Sequence, residues 1–390
     1  MNVNKRRFRM GAALLLAASL TGAAPARIAG EEYTGSGIET LKFLAAHSNA
    51  KAVVISPLSI AYAEAMLADA TGASTRQEIV SALGGTSIMD GAQQIASALQ
   101  KNPDARVSIA NALWTRMDIP PAAAYVSLVR KRYGAQVRAL QFGDPSAAQA
   151  INAWTAAHTN NLIPSIVQST EPADFAYLTN AIAFDAKWTS PFEKSATRDE
   201  PFTPAGGAPH PVPMMHRTGV YSLSNDPSAA HRELRMPYGQ GGYAAYFFVP
   251  NGTHTADEML ENLGPYVCTN AVRTQPVQVA VTIPKFTAAF RTSLNEALRS
   301  EGIQRAFSAS GDFSPLHPPP PRLRLSKVDH ATYIRVDEAG TVAAAATSAG
   351  MSMLAIMQPK DTFVVDRPFV FAICEEHLHV PLFYGIVRDV

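Results

Sequence analysis

The apolar and polar positions of this chain alternate between helix-like and strand-like stretches, with no obvious linker between them. Ser56-Pro57 is a helix start: a hydroxyl placed to accept a free backbone N–H, then a proline whose fixed φ suits the first turn. Ile60, Met66 and Leu67 carry that helix to a stop at Gly72. Asp144-Pro145 opens a second, with Ile151 and Trp154 on one face and an end near Asn160-Asn161. A third follows Thr292-Ser293 through Leu294, Ala297 and Leu298 to Gly302. Runs of β-branched and aromatic residues bounded by Gly or Pro predict strands over 107–114, 175–184, 243–249, 277–283, 324–336, 363–365, 369–374 and 382–387. The late strands follow one another through tight turns, which fits an α+β body with large, partly antiparallel sheets rather than a doubly wound one. The Pro- and Gly-rich stretch 201–213 reads as a turn joining short strands, and Pro318–Pro321 as a stiff surface connector rather than a PxxP ligand.

Residues 338–347 do not fit the alternation. Glu338-Ala-Gly-Thr-Val-Ala-Ala-Ala-Ala-Thr347 runs directly out of the strand pattern ending at Val336, and an apolar, uncharged tract follows at 351–357. Alanine favours helix, but Gly340 and the β-branched pair Thr341-Val342 would occupy the first turn of such a helix. The alternative is a strand with one face made only of small side chains, Thr341, Ala343, Ala345 and Thr347. A segment of that kind can hang as a loop or enter a packed sheet.

Composition narrows the function. With 47% hydrophobic residues the 390-residue chain can bury a large core, and length alone suggests two or three domains. A net charge of +1 without a basic cluster beyond the N-terminus gives no case for nucleic acid. Lys5, Arg6, Arg7 and Arg9 precede a short apolar run at 11–20 and an Ala24-Pro25-Ala26 site, so residues 1–26 are expected to be a cleaved signal peptide. The run is short of the ~20 residues that span a bilayer, so no membrane anchor is expected. The mature chain is expected to be secreted, extracellular or periplasmic. Cys268 and Cys374 are the only two cysteines; they pair or stay buried as free thiols.

Catalytic chemistry has little footing. No G-x-S-x-G elbow or HExxH pattern occurs, and the stretches around Ser36 and Ser310 read as ordinary turns. His377 and His379 beside Glu375 and Glu376 form the densest polar cluster; a metal there is conceivable, but a solvated hairpin tip is the simpler account. No cofactor and no metal are expected.

Several segments together carry a family resemblance. The hinge at 336–347, the segment Asn180-Ala-Ile-Ala-Phe-Asp-Ala-Lys-Trp-Thr-Ser-Pro-Phe192, and the motifs at 55–59, 212–216, 366–371 and 381–387 resemble those of inhibitory serpins, in family order from about residue 38 to the end. The resemblance is to an exported member, with a bacterial source expected. It implies one domain over 27–390, three β-sheets with eight or nine helices, and an exposed reactive loop at about 338–360. It also implies a suicide inhibitor, not an enzyme: a target serine protease cleaves the loop, which inserts as a new strand and traps the protease as a covalent complex. The inhibitor itself is expected to be a monomer.

The resemblance further assigns residues. Glu338, Gly340, Thr341, Ala343, Ala344, Ala345 and Ala346 form the hinge; Ser56, Asn180 and His330 correspond to a polar cluster controlling sheet opening, and Trp188 to the site where insertion begins. Counting sixteen positions from Glu338 gives a reactive bond Leu354-Ala355, with Met357-Gln358 as the runner-up. Leu354 suits an apolar primary pocket of chymotrypsin, elastase or subtilisin type. Val342 stands where the family commonly has Glu, and Ala339 where it has a charge. The alternatives are a non-inhibitory serpin acting as a carrier or chaperone-like binding module and, more distantly, a secreted hydrolase.

Overall fold

The computed structural model describes residues 35–268, 276–317, 323–341 and 359–390. Its first helix, α1 (Gly35–Ala46), corrects the reading of Ser36 as part of a turn. A Cβ at Gly37 would lie 2.5 Å from the Pro57 Cα, so glycine lets α1 press backbone to backbone on the next helix. The Ser56 side chain accepts the Ser59 N–H at 3.2 Å and caps α2 (Pro57–Ala70), with Pro57 in its first turn. Every residue of α2 is buried, so it is a central strut with no solvent face. Beyond Gly72 come α3 (Ala73–Ala82), α4 (Ser87–Lys101) and α5 (Ala123–Tyr133), none of which the apolar spacing predicted. Asp144 caps α6 (Pro145–His158) by accepting from the Ser146 N–H at 2.8 Å, and the helix ends before Asn160 and Asn161, both at positive φ. A Thr255–Glu258 capping box starts α7 (Ala256–Leu263), and α8 (Asn295–Ser300) is the short third helix expected after Ser293.

The strands are β1 (Ala52–Ile55), β2 (Arg106–Arg116), β3 (Gln136–Leu140), β4 (Ala176–Lys187), β5 (Arg198–Phe202), β6 (His210–Ser224), β7 (His231–Tyr238) and β8 (Tyr243–Pro250). They continue as β9 (Val277–Pro284), β10 (Phe286–Ser293), β11 (Lys327–Val336), β12 (Gly340–Thr341), β13 (Asp361–Val364), β14 (Phe369–Glu375) and β15 (Val380–Val387). All eight predicted strands are present, although β11 begins at Lys327 rather than 324. The stretch 201–213 does join strands, but β6 is 15 residues long, not short.

Hydrogen bonding orders one sheet as β10-β11-β12-β4-β2-β3 and a second array as β1-β15-β14-β8-β7-β6-β9-β13, with β5 also on β6. Long β6 joins two sheets within that array: its residues up to Tyr221 pair with β5 and β9, and Ser222–Ser224 with β7. This gives the three sheets expected. Inward-facing strand side chains and α2, which packs on β2, β4 and β15, form one large apolar core. On the opposite face α6 packs against β2, where Ile151 shares a second apolar cluster with Ala110, Ala181 and Ala331, and the Trp154 ring is edge-on to Trp114 at 5.5 Å. Cys268 and Cys374 form a disulfide, Cα to Cα 5.7 Å, which ties the segment after α7 to β14.

Candidate functional site: the hinge and the gate of the six-stranded sheet

After Val336 the chain reverses. The Asp337 carboxylate accepts from the N–H groups of Ala339 (2.9 Å) and Gly340 (3.3 Å), and the Asp337 N–H donates to the Gly340 carbonyl at 2.9 Å. That tight turn directs Gly340 and Thr341 back between β11 and β4: Thr341 pairs with Val336 on one side, and Gly340 and Thr341 pair with Lys187 and Ala186 on the other. The approach is possible only without a side chain at 340, because a Cβ there would lie 2.0 Å from the Ala186 carbonyl oxygen. Thr341 is fully buried, and its hydroxyl lies 2.6 Å from that of Tyr238. The Tyr238 ring stacks on Trp188 at 4.3 Å and 12°. Trp188 also holds the turn itself, donating its indole N–H to the Asp337 carbonyl (2.9 Å) and its backbone N–H to that of Ala339 (3.0 Å).

The turn is anchored by charge. Glu338, 5% exposed, meets the Lys285 ammonium at 3.0 Å and accepts from the Thr197 hydroxyl at 2.8 Å. Burial by itself would raise its pKa; hydrogen bonds from Lys285, the backbone and Thr197 outweigh burial and hold it below the usual carboxylate range. The Glu338 carbonyl accepts from the Phe192 N–H at 2.9 Å, so side chain and backbone are both engaged.

Beyond Thr341 the sheet is closed. From Lys327↔Tyr177 to Tyr333↔Ala183, β11 and β4 pair directly and in parallel, and His330 lies opposite Asn180. The His330 Nδ1–H donates to Asn180 Oδ1 at 2.5 Å, while its Nε2 accepts the Ser56 N–H at 3.2 Å. Burial lowers the His330 pKa to about 3, so the ring is neutral, as one donating and one accepting nitrogen require. Asn180 Nδ2 donates to the Ser59 carbonyl at 2.7 Å and to Asn111 Oδ1 on β2. Thr332 donates to the Val54 carbonyl at 2.6 Å. A buried polar chain thus crosses the β4–β11 boundary and fastens it to the N-terminus of α2. Separating the strands breaks it.

The structure therefore brings Ser56, Asn180 and His330 together in one hydrogen-bonded set, and Trp188 against Glu338, Gly340 and Thr341 in another. Ala343, Ala344, Ala345 and Ala346, with Leu354, Ala355, Met357 and Gln358, lie outside the described residues. Sequence reasoning missed Tyr238, Lys285, Thr197 and Asn111; each is a common residue whose partner is 53 to 141 positions away, with no local signal. At the β14–β15 hairpin tip, Glu376 is bound to Arg235 and Tyr246, and Glu375 accepts from the Leu378 N–H at 2.6 Å. No group of three or more potential metal ligands occurs among the described residues.

Comparison with known proteins converges on one family. The profile described as Serpin (serine protease inhibitor) matches residues 31–390. Serpin-Z10 of Arabidopsis thaliana is 30% identical over 369 residues, covering 90% of this chain and 94% of its own. The thermophilic serpin tengpin in its native state superposes with a TM-score of 0.82 at 28% identity, covering 92% of this chain and 94% of tengpin. Human thyroxine-binding globulin complexed with thyroxine gives 0.81 at 26% identity, covering 92% and 98%. Relatives from plants, animals and an archaeon do not carry the expectation of a bacterial source. The chain belongs to the serpin family of serine protease inhibitors.

Proposed function

We propose that this serpin is a suicide inhibitor of a serine protease with an apolar primary pocket, and that it works by inserting its cleaved loop between β4 and β11. The observation that carries this reading is β12: two residues of the hinge already occupy the position a full inserted strand would extend from. Extension would replace seven parallel pairs between β4 and β11 with two antiparallel ladders. If about seven additional ladder bonds form at about 1 kcal/mol each, the net gain is about 7 kcal/mol. The barrier is the polar chain through His330 and Asn180, which must part first. Leu354-Ala355 is the bond proposed for attack, with Met357-Gln358 second. The acyl-enzyme formed there would be carried along by insertion and its oxyanion hole deformed before water releases it. Within this proposal, Ser56, Asn180 and His330 are the gate, Trp188 the entry, and Glu338, Gly340, Thr341 and Ala343 to Ala346 the hinge. The basic and apolar N-terminal segment supports export, and the protein would act outside the cell or in the periplasm, as a monomer until it meets its target.

A carrier or binding module is the second reading, favoured by the likeness to thyroxine-binding globulin, whose structure holds thyroxine. Mixing the purified protein with chymotrypsin, elastase and subtilisin separates the two. An SDS-stable complex with at least one of them is expected; cleavage in the 350–357 tract without any complex would eliminate the inhibitor.

A further inference from the structure

Strut helix α2 carries a carboxylate at its midpoint although it has no solvent face. Glu64 is 1% exposed, and neither of its oxygens makes a well-formed hydrogen bond; the Ser36 hydroxyl of α1 eases its charge only slightly. The charged group that acts on it is another carboxylate, Glu301, at the C-terminal cap of α8. The Thr40 hydroxyl of α1 donates to Glu301 Oε1, while Glu301 Oε2 is buried without a partner. Since α1 packs on both α2 and α8, the two acids close a junction of three helices. The surrounding charges do not neutralise them. Glu39 of α1 adds a further negative field at Glu301, and Lys42 of α1 is engaged by Glu39 at 3.2 Å and by Glu261 of α7 at 4.0 Å. Arg299 of α8 lies over the Phe307 ring, and α8 also carries the acid Glu296. Arg76 of α3 and Arg132 of α5 bind Asp69, and Arg305 binds Glu78.

A carboxyl buried with no hydrogen-bond partner and no cation cannot ionise cheaply, and a second carboxyl acting on it makes ionisation harder still. We propose that Glu64 keeps its proton in the native protein and, with Glu301, acts as a proton-linked lock on the position of α2. Burial, then the charge of Glu301, push the Glu64 carboxyl well above its ordinary range; burial pushes Glu301 up to about 7, with Thr40 opposing and Glu39 adding. Both acids hold protons more tightly folded than unfolded. The stability they allow is therefore full below the ordinary carboxyl value of 4.5 and falls as pH rises from there through about 7. The lock reaches the gate through α2. Its N-terminus is held by His330 at the Ser56 N–H and by Asn180 at the Ser59 carbonyl. Glu64 lies about 12 Å along the same rigid helix. Ionising Glu64 forces a charge into the packed junction of α1 and α2 and loosens the strut on which β4 and β11 are fastened.

The test is chemical unfolding of the full chain at about pH 5 to about pH 9, for wild type, Glu64→Gln, Glu301→Gln and the double variant. Relative to the double variant, the wild-type folded-to-unfolded ratio is expected to drop on the order of a hundredfold across that range. A double variant that keeps the full wild-type dependence would overturn the lock. Should the variants fail to fold, the infrared spectrum of wild type decides: a buried carboxylic acid C=O band present at neutral pH and lost in alkali supports the retained proton, and its absence at neutral pH refutes it. Calcium or magnesium chloride that restores stability in alkali would show a cation, not a proton, between the acids. Amide exchange along β4 and β11 reads the coupling without any protease, so it is separate from the inhibitor question. Protection at β4 and β11, corrected for intrinsic exchange rates, that falls no further with pH in wild type than in the double variant would sever the pair from the gate.

Discussion

Acid should open the gate through His330. The ring is fully buried between β11 and the start of α2, donates to Asn180 and accepts from Ser56, and has its pKa lowered to about 3 from 6.5 by burial. A state in which the gate has parted and the imidazole is hydrated binds the proton more readily than the closed one. The histidine's contribution is therefore fully present above 6.5 and is lost as the pH falls from there through about 3. At about pH 4 the shift realised is about 2.5 units, which at 1.36 kcal/mol per unit costs about 3 kcal/mol, or on the order of a hundredfold in the closed-to-open ratio. The raw profile is mixed, because Asp329, raised to about 6 by burial, and Glu301 and Glu64 all favour the folded state as protons are added. Comparison with His330→Gln removes those common contributions; the lost hydrogen bonds enter as an offset that does not depend on pH. The assay is hydrogen exchange of the β4 and β11 amides in both proteins between about pH 7 and about pH 4, corrected for intrinsic exchange rates. The wild-type closed-to-open ratio should fall about a hundredfold more than that of the variant. Parallel profiles would refute the assignment of His330 as the acid-sensitive bolt.

Two further outcomes follow from the hinge. Gly340→Ala places a methyl carbon 2.0 Å from the Ala186 carbonyl oxygen, so β12 should leave its place at a cost of about 1–3 kcal/mol; exchange at Thr341 should accelerate, and unchanged protection would mean that β12 is not seated between β4 and β11. Ala343→Arg should turn an inhibitor into a substrate, because a charge cannot enter the sheet core without a partner; gel electrophoresis with chymotrypsin should show cleavage without complex, and undiminished trapping would count against insertion.

The gate and the lock place opposing titrations on the same helix. His330 favours the closed state as pH rises toward neutrality, and the Glu64–Glu301 pair favours the folded state as it falls. Between 4.5 and 6.5 the two act against each other, which should leave the native state broadly stable in that window and less so on either side.

Much of the architecture was legible because it rests on local chemistry. Ser56-Pro57 and Asp144-Pro145 cap helices with neighbouring atoms, and the eight predicted strands carry their β-branched and aromatic residues within a few positions. The small residues at 340 and 341 announced a segment able to lie between strands, and the sheet has a place for them. What failed was what depends on remote partners. α2 is buried on all sides, so periodicity could not show that Glu64 points into the core rather than toward water. Whether Cys268 and Cys374 pair depended on a strand and a turn 106 residues apart meeting at 5.7 Å. Ser56 and His330 lie 274 positions apart, and Tyr238 and Thr341 lie 103 apart. Sequence by itself determined the caps, the strands and the candidate hinge, since each is decided by side chains within a turn or two of one another. Tertiary structure alone decided which polar groups meet under the sheet, since a buried hydrogen bond or ion pair gains its strength from desolvation by the whole fold.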